Sequence, residues 1–238
     1  MKIHQIFALL TVCLLFFNQQ LSAQNFYKEH IPRDYYYQAG LGLGIMYADN
    51  AGRFRALDVK FNPSLSLTIG RKLNNLIDLR AYLGYQHTRS QDMNYFNSQV
   101  TDLWKETQQA IMNQGNGVYV DLMPTLHLFK NNNHTFRKTI DLYGGAGLGL
   151  LMHFNKETKI INENLALENK TKIEGYVPIR GGISYKLGLN ADIALEGTLM
   201  LTFSDELDGN KGFNRFNDHL LNGQIVYRRY LSNIKPTY

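Results

Sequence analysis

Three groups of side chains in this sequence have types and spacing that suggest chemistry. Ser90 with His87, His153 and Glu174 supplies the components of a nucleophilic set, in which a histidine activates a hydroxyl and a carboxylate orients the histidine. Nothing in their spacing brings them within hydrogen-bond distance, and a few scattered candidates of this kind arise by chance, so no catalytic residue is assigned. The stretch Ser204-Asp205-Glu206-Leu207-Asp208-Gly209-Asn210 is rich in the oxygen ligands that Ca²⁺ prefers. Its spacing does not fit the calcium-loop motif, and a solvated acidic turn is the expectation. The third group is a set of charges of both signs, Lys72, Asp78, Arg80, Asp121, Asp141, Arg180, Lys186, Asp192 and Glu196, set among alternating apolar residues. No cofactor or metal site is expected from any of these groups.

The elements that must position them begin with the N-terminus. Lys2 precedes an apolar run from Ile6 to Phe17, followed by Asn18-Gln19-Gln20 and then Leu21-Ser22-Ala23. That order describes a secretory signal over residues 1–23, and the run is shorter than the roughly 20 residues a membrane helix needs. Its removal takes away Cys13, the single cysteine of the 238-residue chain, so the mature protein has no disulfide and no thiolate chemistry. Net charge falls from +5 to +4 with the loss of Lys2, and the remaining basic residues are scattered. Nucleic-acid binding, which needs a clustered basic face, is excluded. The chain after residue 23 suits one domain, and its 15 Tyr, 13 Phe and 20 Gly with only five prolines point to an all-β protein.

Alternate residues of a strand face opposite sides. Tyr37, Ala39, Leu41, Leu43, Ile45 and Tyr47 interleave with Gln38, Gly40, Gly42, Gly44 and Met46. One face is apolar with an aromatic at each end, and the other is small or polar, the pattern of a lipid-facing strand between two aromatic girdles. Similar runs lie at 64–70, 77–86, 118–128, 140–150, 176–187, 192–203 and 221–231. Pro124 and Pro178 fall mid-strand, where a ladder bond is lost or a bulge forms. Arg229 joins the apolar face of the last run and is read as lying at the headgroups. The expected fold is an eight-stranded antiparallel transmembrane β-barrel of outer-membrane type over residues 35–231. It is preceded by a periplasmic segment (24–34) and followed by a tail (232–238).

The links at 48–56, 74–76, 89–116, 130–138, 154–172, 188–190 and 204–217 alternate long and short, as external loops and periplasmic turns do. Within 89–116, Val100, Leu103, Trp104, Ala110 and Ile111 keep helical spacing, which predicts a short helix packed over the rim. A barrel this narrow is filled by its own side chains. The nine charges named above should therefore neutralise one another inside it. A turn at 74–76 opposes Lys72 with Asp78, and one at 188–190 opposes Lys186 with Asp192 and sets Arg180 diagonal to Glu196. The lumen is expected to be plugged. On the periplasmic side Lys130, Arg137 and Lys138 form a basic link that could dock a protein partner.

Three stretches carry a family resemblance: Val177-Pro178-Ile179-Arg180-Gly181-Gly182-Ile183-Ser184-Tyr185-Lys186-Leu187, Ala194-Leu195-Glu196-Gly197, and Thr202-Phe203-Ser204-Asp205-Glu206-Leu207-Asp208. With Gly144-Gly145-Ala146-Gly147, they resemble small outer-membrane barrels of the PorG-like group linked to type IX secretion. Glu206 replaces the aromatic residue and Gly209 the final acid of that group's loop. The resemblance implies a non-enzymatic barrel, in contact with outer-membrane lipid, that docks periplasmic components of a secretion complex. The alternatives are an outer-membrane enzyme acting on lipid or lipopolysaccharide, and a small channel.

Overall fold

The computed structural model describes residues 33–56, 58–92, 95–129, 138–161, 164–211 and 217–231. Residues 1–23, expected as a secretory signal, most of the segment 24–34 and the tail 232–238 lie outside them. The strands are β1 (Tyr35–Tyr47), β2 (Gly52–Arg53), β3 (Asp58–Val59), β4 (Asn62–Lys72), β5 (Ile77–Arg89), β6 (Met112–His127), β7 (Ile140–Ala146), β8 (Leu148–Ile161), β9 (Asn164–Lys186), β10 (Ala191–Thr202) and β11 (His219–Leu231). One helix, α1 (Ser98–Glu106), lies between β5 and β6.

Apart from the small β2–β3 ribbon, these strands close on themselves. β1 pairs antiparallel with β4 on one side and with β11 on the other, and β9 pairs with β10. β7 and β8 are two halves of one strand. Both hold one register against β6, from His127↔Tyr143 to Met112↔Thr158, and one register against β9. The ring therefore has eight antiparallel strands, the expected number, and no edge is left open around it.

The break at Gly147 has a cause on the neighbouring strands. Gly147 donates to the carbonyl of Pro178 at 3.1 Å, but Pro178 has no N–H to return the bond. Pro124 on β6 stands beside the same point, opposite Leu79 of β5. The two prolines thus interrupt the strand between them while β6 and β9 continue, where a bulge was one of the readings.

The tight turns follow local chemistry. Asn74 Oδ1 accepts from the backbone N–H of Leu76 and Ile77, both at 2.8 Å, and fixes the turn that sets Lys72 opposite Asp78. The turn after Leu187 sets Lys186 opposite Asp192. Both registers are those the sequence implies. The third long link differs from expectation. Residues 154–172 are not a loop: β8 runs to Ile161 and β9, of 23 residues, begins at Asn164. β9 leaves β10 at Tyr176↔Thr202, so a two-stranded hairpin rises beyond the rim. A membrane crossing takes roughly 9–11 residues, so much of this hairpin stands outside the bilayer.

Outward positions are apolar. Leu41, Leu67, Leu122, Leu148, Leu195 and Ile225 are each more than half exposed. In water so large an apolar surface would associate; against acyl chains it is satisfied. Tyr37, Tyr185 and Tyr227 ring the end that carries the tight turns, and Tyr47, Tyr85, Phe154 and Phe203 the other. Among the described residues no helix is long and apolar enough to cross a membrane. The protein is a transmembrane β-barrel of the outer-membrane type, with its tight turns gathered at one end.

Inward glycines make room for inward tyrosines. Tyr36 stands opposite Gly70, Tyr119 opposite Gly84, Tyr143 opposite Gly182 and Tyr176 opposite Gly149. A Cβ at Gly84 would sit 2.1 Å from the Tyr119 ring. Gly84→Ala should therefore displace that ring and destabilise the barrel by about 1–3 kcal/mol, read as a lower urea midpoint in liposomes. An unchanged midpoint would show that the pairing is loose.

Candidate functional site

The lumen is the densest collection of functional side chains. Seven of the nine expected interior charges, Asp78, Arg80, Asp121, Asp141, Arg180, Asp192 and Glu196, are buried. Lys72 and Lys186 are half-buried, one residue from the turns, and so stand at the mouth on the tight-turn end rather than inside.

Two arginine-centred clusters block the middle. Arg180 makes a two-pronged contact with Asp121, at 3.0 Å and 3.3 Å, and its Nε donates to Thr198 Oγ1 at 3.0 Å. Tyr176 donates to the same carboxylate at 2.8 Å, and the Tyr82 ring lies 3.7 Å from the guanidinium carbon. Arg180 also reaches Glu196 at 3.5 Å, the diagonal contact the turn implies. Glu196 accepts from Arg80 at 3.1 Å and from Tyr143 at 2.9 Å, which joins the clusters. Arg80 in turn donates to the Tyr36 hydroxyl, which donates to Asp78. Paired forks of this kind are among the stronger polar contacts available.

Sequence reasoning missed two members. Arg228 is buried between the rings of Tyr36 and Tyr143, 5.1 Å and 4.9 Å away, and Asp192 lies 4.0 Å from it. The signal was present: Leu221, Ile225 and Tyr227 face outward, so residue 228 must face inward, and Arg229 is exposed as expected. His127 falls on the inward face of its run but is not among the nine expected charges. It bridges Asp141 through Nδ1 and Asp78 through Nε2, so one imidazole ties two strands at the tight-turn end.

The Ser90 set is not assembled. Ser90 Oγ donates to the Gln91 carbonyl and accepts from the Asn113 N–H, so it serves the backbone. His153 is fully buried and contacts Thr88 Oγ1 at 2.8 Å. His87 is half-buried on the outer face beside Asn116, across the barrel wall from His153. Glu174 is half-buried on the lumen side.

The external end is closed by loops. α1 is capped by Asn97, whose side chain accepts from the Val100 N–H. Its Trp104 is buried against Phe96, as packing over the rim requires, while Ala110 and Ile111 are buried beyond the helix end. The acidic segment 204–210 is not a solvated turn, contrary to expectation. Leu207, Asp208 and Asn210 are fully buried, because Asn113 and Asn155 of the barrel wall both donate to the Leu207 carbonyl and draw the loop inward. Asp208 comes to lie near Asp218, with Asp49 and Asp205 also close. Burial and mutual repulsion push the Asp208 carboxyl up to about 7 and the Asp218 carboxyl up to about 9. The folded loop holds these protons more tightly than the unfolded chain, so its stability falls as pH rises from about 4 towards 9. Without divalent cations, cleavage of this loop by an external protease should quicken between pH 5 and pH 9; a flat rate would contradict it. Among the described residues no three His, Cys, Asp or Glu side chains are arranged to hold a metal ion.

Of the basic link expected on the periplasmic side, Lys138 is exposed, and Lys130 and Arg137 lie outside the described residues.

No protein-family profile matches this sequence, and no curated protein is similar to it in sequence. Solved outer-membrane proteins share its outline. Ail, the attachment invasion locus protein of Yersinia pestis, is 9% identical with a TM-score of 0.48, covering 84% of this chain and 100% of its own. A major outer membrane protein from Thermus thermophilus is 13% identical with a TM-score of 0.47, over 83% of this chain and 99% of its own. Neisserial surface protein A is 12% identical with a TM-score of 0.44, over 83% and 97%.

Proposed function

We propose that the protein is a non-enzymatic assembly barrel whose periplasmic face docks a protein partner of a secretion complex, of the kind linked to type IX secretion. The observation that carries this reading is the filled lumen. Arg80, Arg180 and Arg228 are each fully buried across the bore, held by carboxylates and tyrosine rings. A bore occupied in this way favours a scaffold over a conduit, so activity is sought at the ends. The resemblance of the 177–208 stretches to PorG-like barrels supplies the type of complex.

The end with the tight turns, read as periplasmic, offers the exposed Lys138, with Arg137 adjacent to it in sequence and Lys130 at the start of the same link. Reversing all three to glutamate should reduce co-purification of the periplasmic partner from native membranes at least fivefold, with the folded barrel retained. Undiminished co-purification would refute the docking face. Planar-bilayer recording provides the second check: steady ionic conductance would favour a channel instead. The enzyme alternative predicts that replacing His87, Ser90 and His153 changes the lipid profile, and an unchanged profile supports the assembly reading.

A further inference from the structure

The external loops converge on a site that the lumen network does not use. Asp208 is at its centre. One carboxylate oxygen accepts from the Asn50 N–H at 3.0 Å and the other from the Asn210 N–H at 2.8 Å. Asn50 also donates its Nδ2 to the Asp208 carbonyl at 3.1 Å, which holds the Asn50 side-chain amide against Asp208. Asp218, at the entrance to β11, accepts from Leu207 N–H at 2.7 Å and from Asp208 N–H at 3.4 Å. Two carboxylates are thus buried side by side, at 0% and 1% exposure.

A second observation points to a missing ligand. Asn50 and Asn210 are both fully buried, yet the Oδ1 of each has no hydrogen-bond partner, and neither does the Nδ2 of Asn210. Buried amide oxygens are almost always satisfied, and each one left without a partner carries the full cost of its desolvation. Carboxylates and amide carbonyls are all oxygen donors, with no thiolate or imidazole among them. That is the ligand chemistry of a hard cation.

We propose that Asp208, Asp218, Asn50 and Asn210 form a calcium site that fastens the external loops over the mouth of the barrel. One Ca²⁺ neutralises the two buried carboxylates and gives both orphaned amide oxygens a partner. Asp49 and Asp205, close by, add a negative field that favours a divalent over a monovalent ion. Calcium suits the arrangement better than magnesium, because it takes six to eight oxygens in flexible geometry while magnesium keeps an ordered shell of waters. Only two carboxylates ligate directly, and the amides complete the donor set. The spacing from residue 50 to residue 218 belongs to no contiguous calcium motif; only barrel closure, which sets β1 beside β11, brings its ends together.

The test uses the full-length mature barrel, refolded in detergent and stripped with EDTA, with Ca²⁺ binding followed by calorimetry. One Ca²⁺ per chain is expected, with Asp218→Asn and Asp208→Asn each weakening it at least tenfold. Asn210→Ala keeps the backbone bond to Asp208 and removes only the amide oxygen, so it should weaken binding several-fold. It stands in if either aspartate variant fails to fold. Binding should also slow proteolysis of the external loops in the wild type. No calcium binding by the wild type, or binding unaltered in the variants that fold, would overturn the site.

Discussion

Replacing Arg180 with methionine should lower the stability of the folded barrel by about 3–5 kcal/mol, the cost of stripping one partner from a buried ion pair. Methionine nearly fills the volume, so the loss is electrostatic. Asp121 would keep only the Tyr176 hydroxyl, and Glu196 would lose its second arginine. Adding Asp121→Asn removes the stranded charge and should restore more than half of the loss. Urea unfolding in liposomes, read by the shift between folded and unfolded bands on unheated gels, measures all three variants. A single variant within about 1 kcal/mol of wild type would mean that water reaches the pair and screens it, and the plugged lumen would fall with it.

The second large effect is on the opposite face. Leu67 is more than half exposed and stands between Ala39 of β1 and Leu83 of β5, near the middle of the apolar belt. Leu67→Arg should cost about 2–4 kcal/mol in a bilayer, because a guanidinium there has no water and no partner. Arg71 is the internal control. It lies on the same face of the same strand, roughly 10 Å nearer the tight-turn end by strand rise and tilt, with its guanidinium carbon 5.5 Å from the Tyr35 ring centre. The chain therefore accepts arginine at the girdle, and Arg71→Leu should change stability by less than about 1 kcal/mol. A soluble barrel would show the reverse, since Leu67→Arg would then add a charge to a wetted surface at almost no cost. Folding of Leu67→Arg as readily as wild type would remove the membrane assignment.

How far the chain could be read without its structure follows from the range of each interaction. Strand alternation is local: residues two apart share a face. From Tyr37, Ala39 and Leu41 alone it is possible to say which side chains meet lipid and that Gln38 turns inward. The tight turns are local as well, because Asn74 caps its own loop, so Lys72 faces Asp78 whatever the rest of the barrel does. The same alternation held the inward placement of Arg228, visible in Tyr227 and Ile225, although the exposed Arg229 beside it masked the signal.

What crosses the bore was not legible. Arg180 meets Asp121 and Arg80 meets Glu196 only because the sheet closes with one particular stagger, and no run of residues encodes that stagger by itself. The hairpin over 154–172 was hidden for a related reason. Its polar residues, among them Lys156, Glu157, Lys159, Glu168 and Lys170, read as a loop in a strand language written for lipid. Above the membrane its inner face packs on the neighbouring loop, where Glu157 is fully buried and bridged by Lys170, while Lys159 reaches Glu168 at 3.0 Å. The acidic segment 204–210 reads as solvated until Asn113 and Asn155 of other strands pull it down. By itself, then, the sequence determined the strands, their lipid and lumen faces, and the registers set by short turns, because all of these depend on neighbours a few residues apart. Tertiary structure alone decided which charges neutralise one another, that Ser90, His87 and His153 stay apart, and that Asn50, Asp208 and Asp218 meet, because those contacts exist only once the first strand closes on the last.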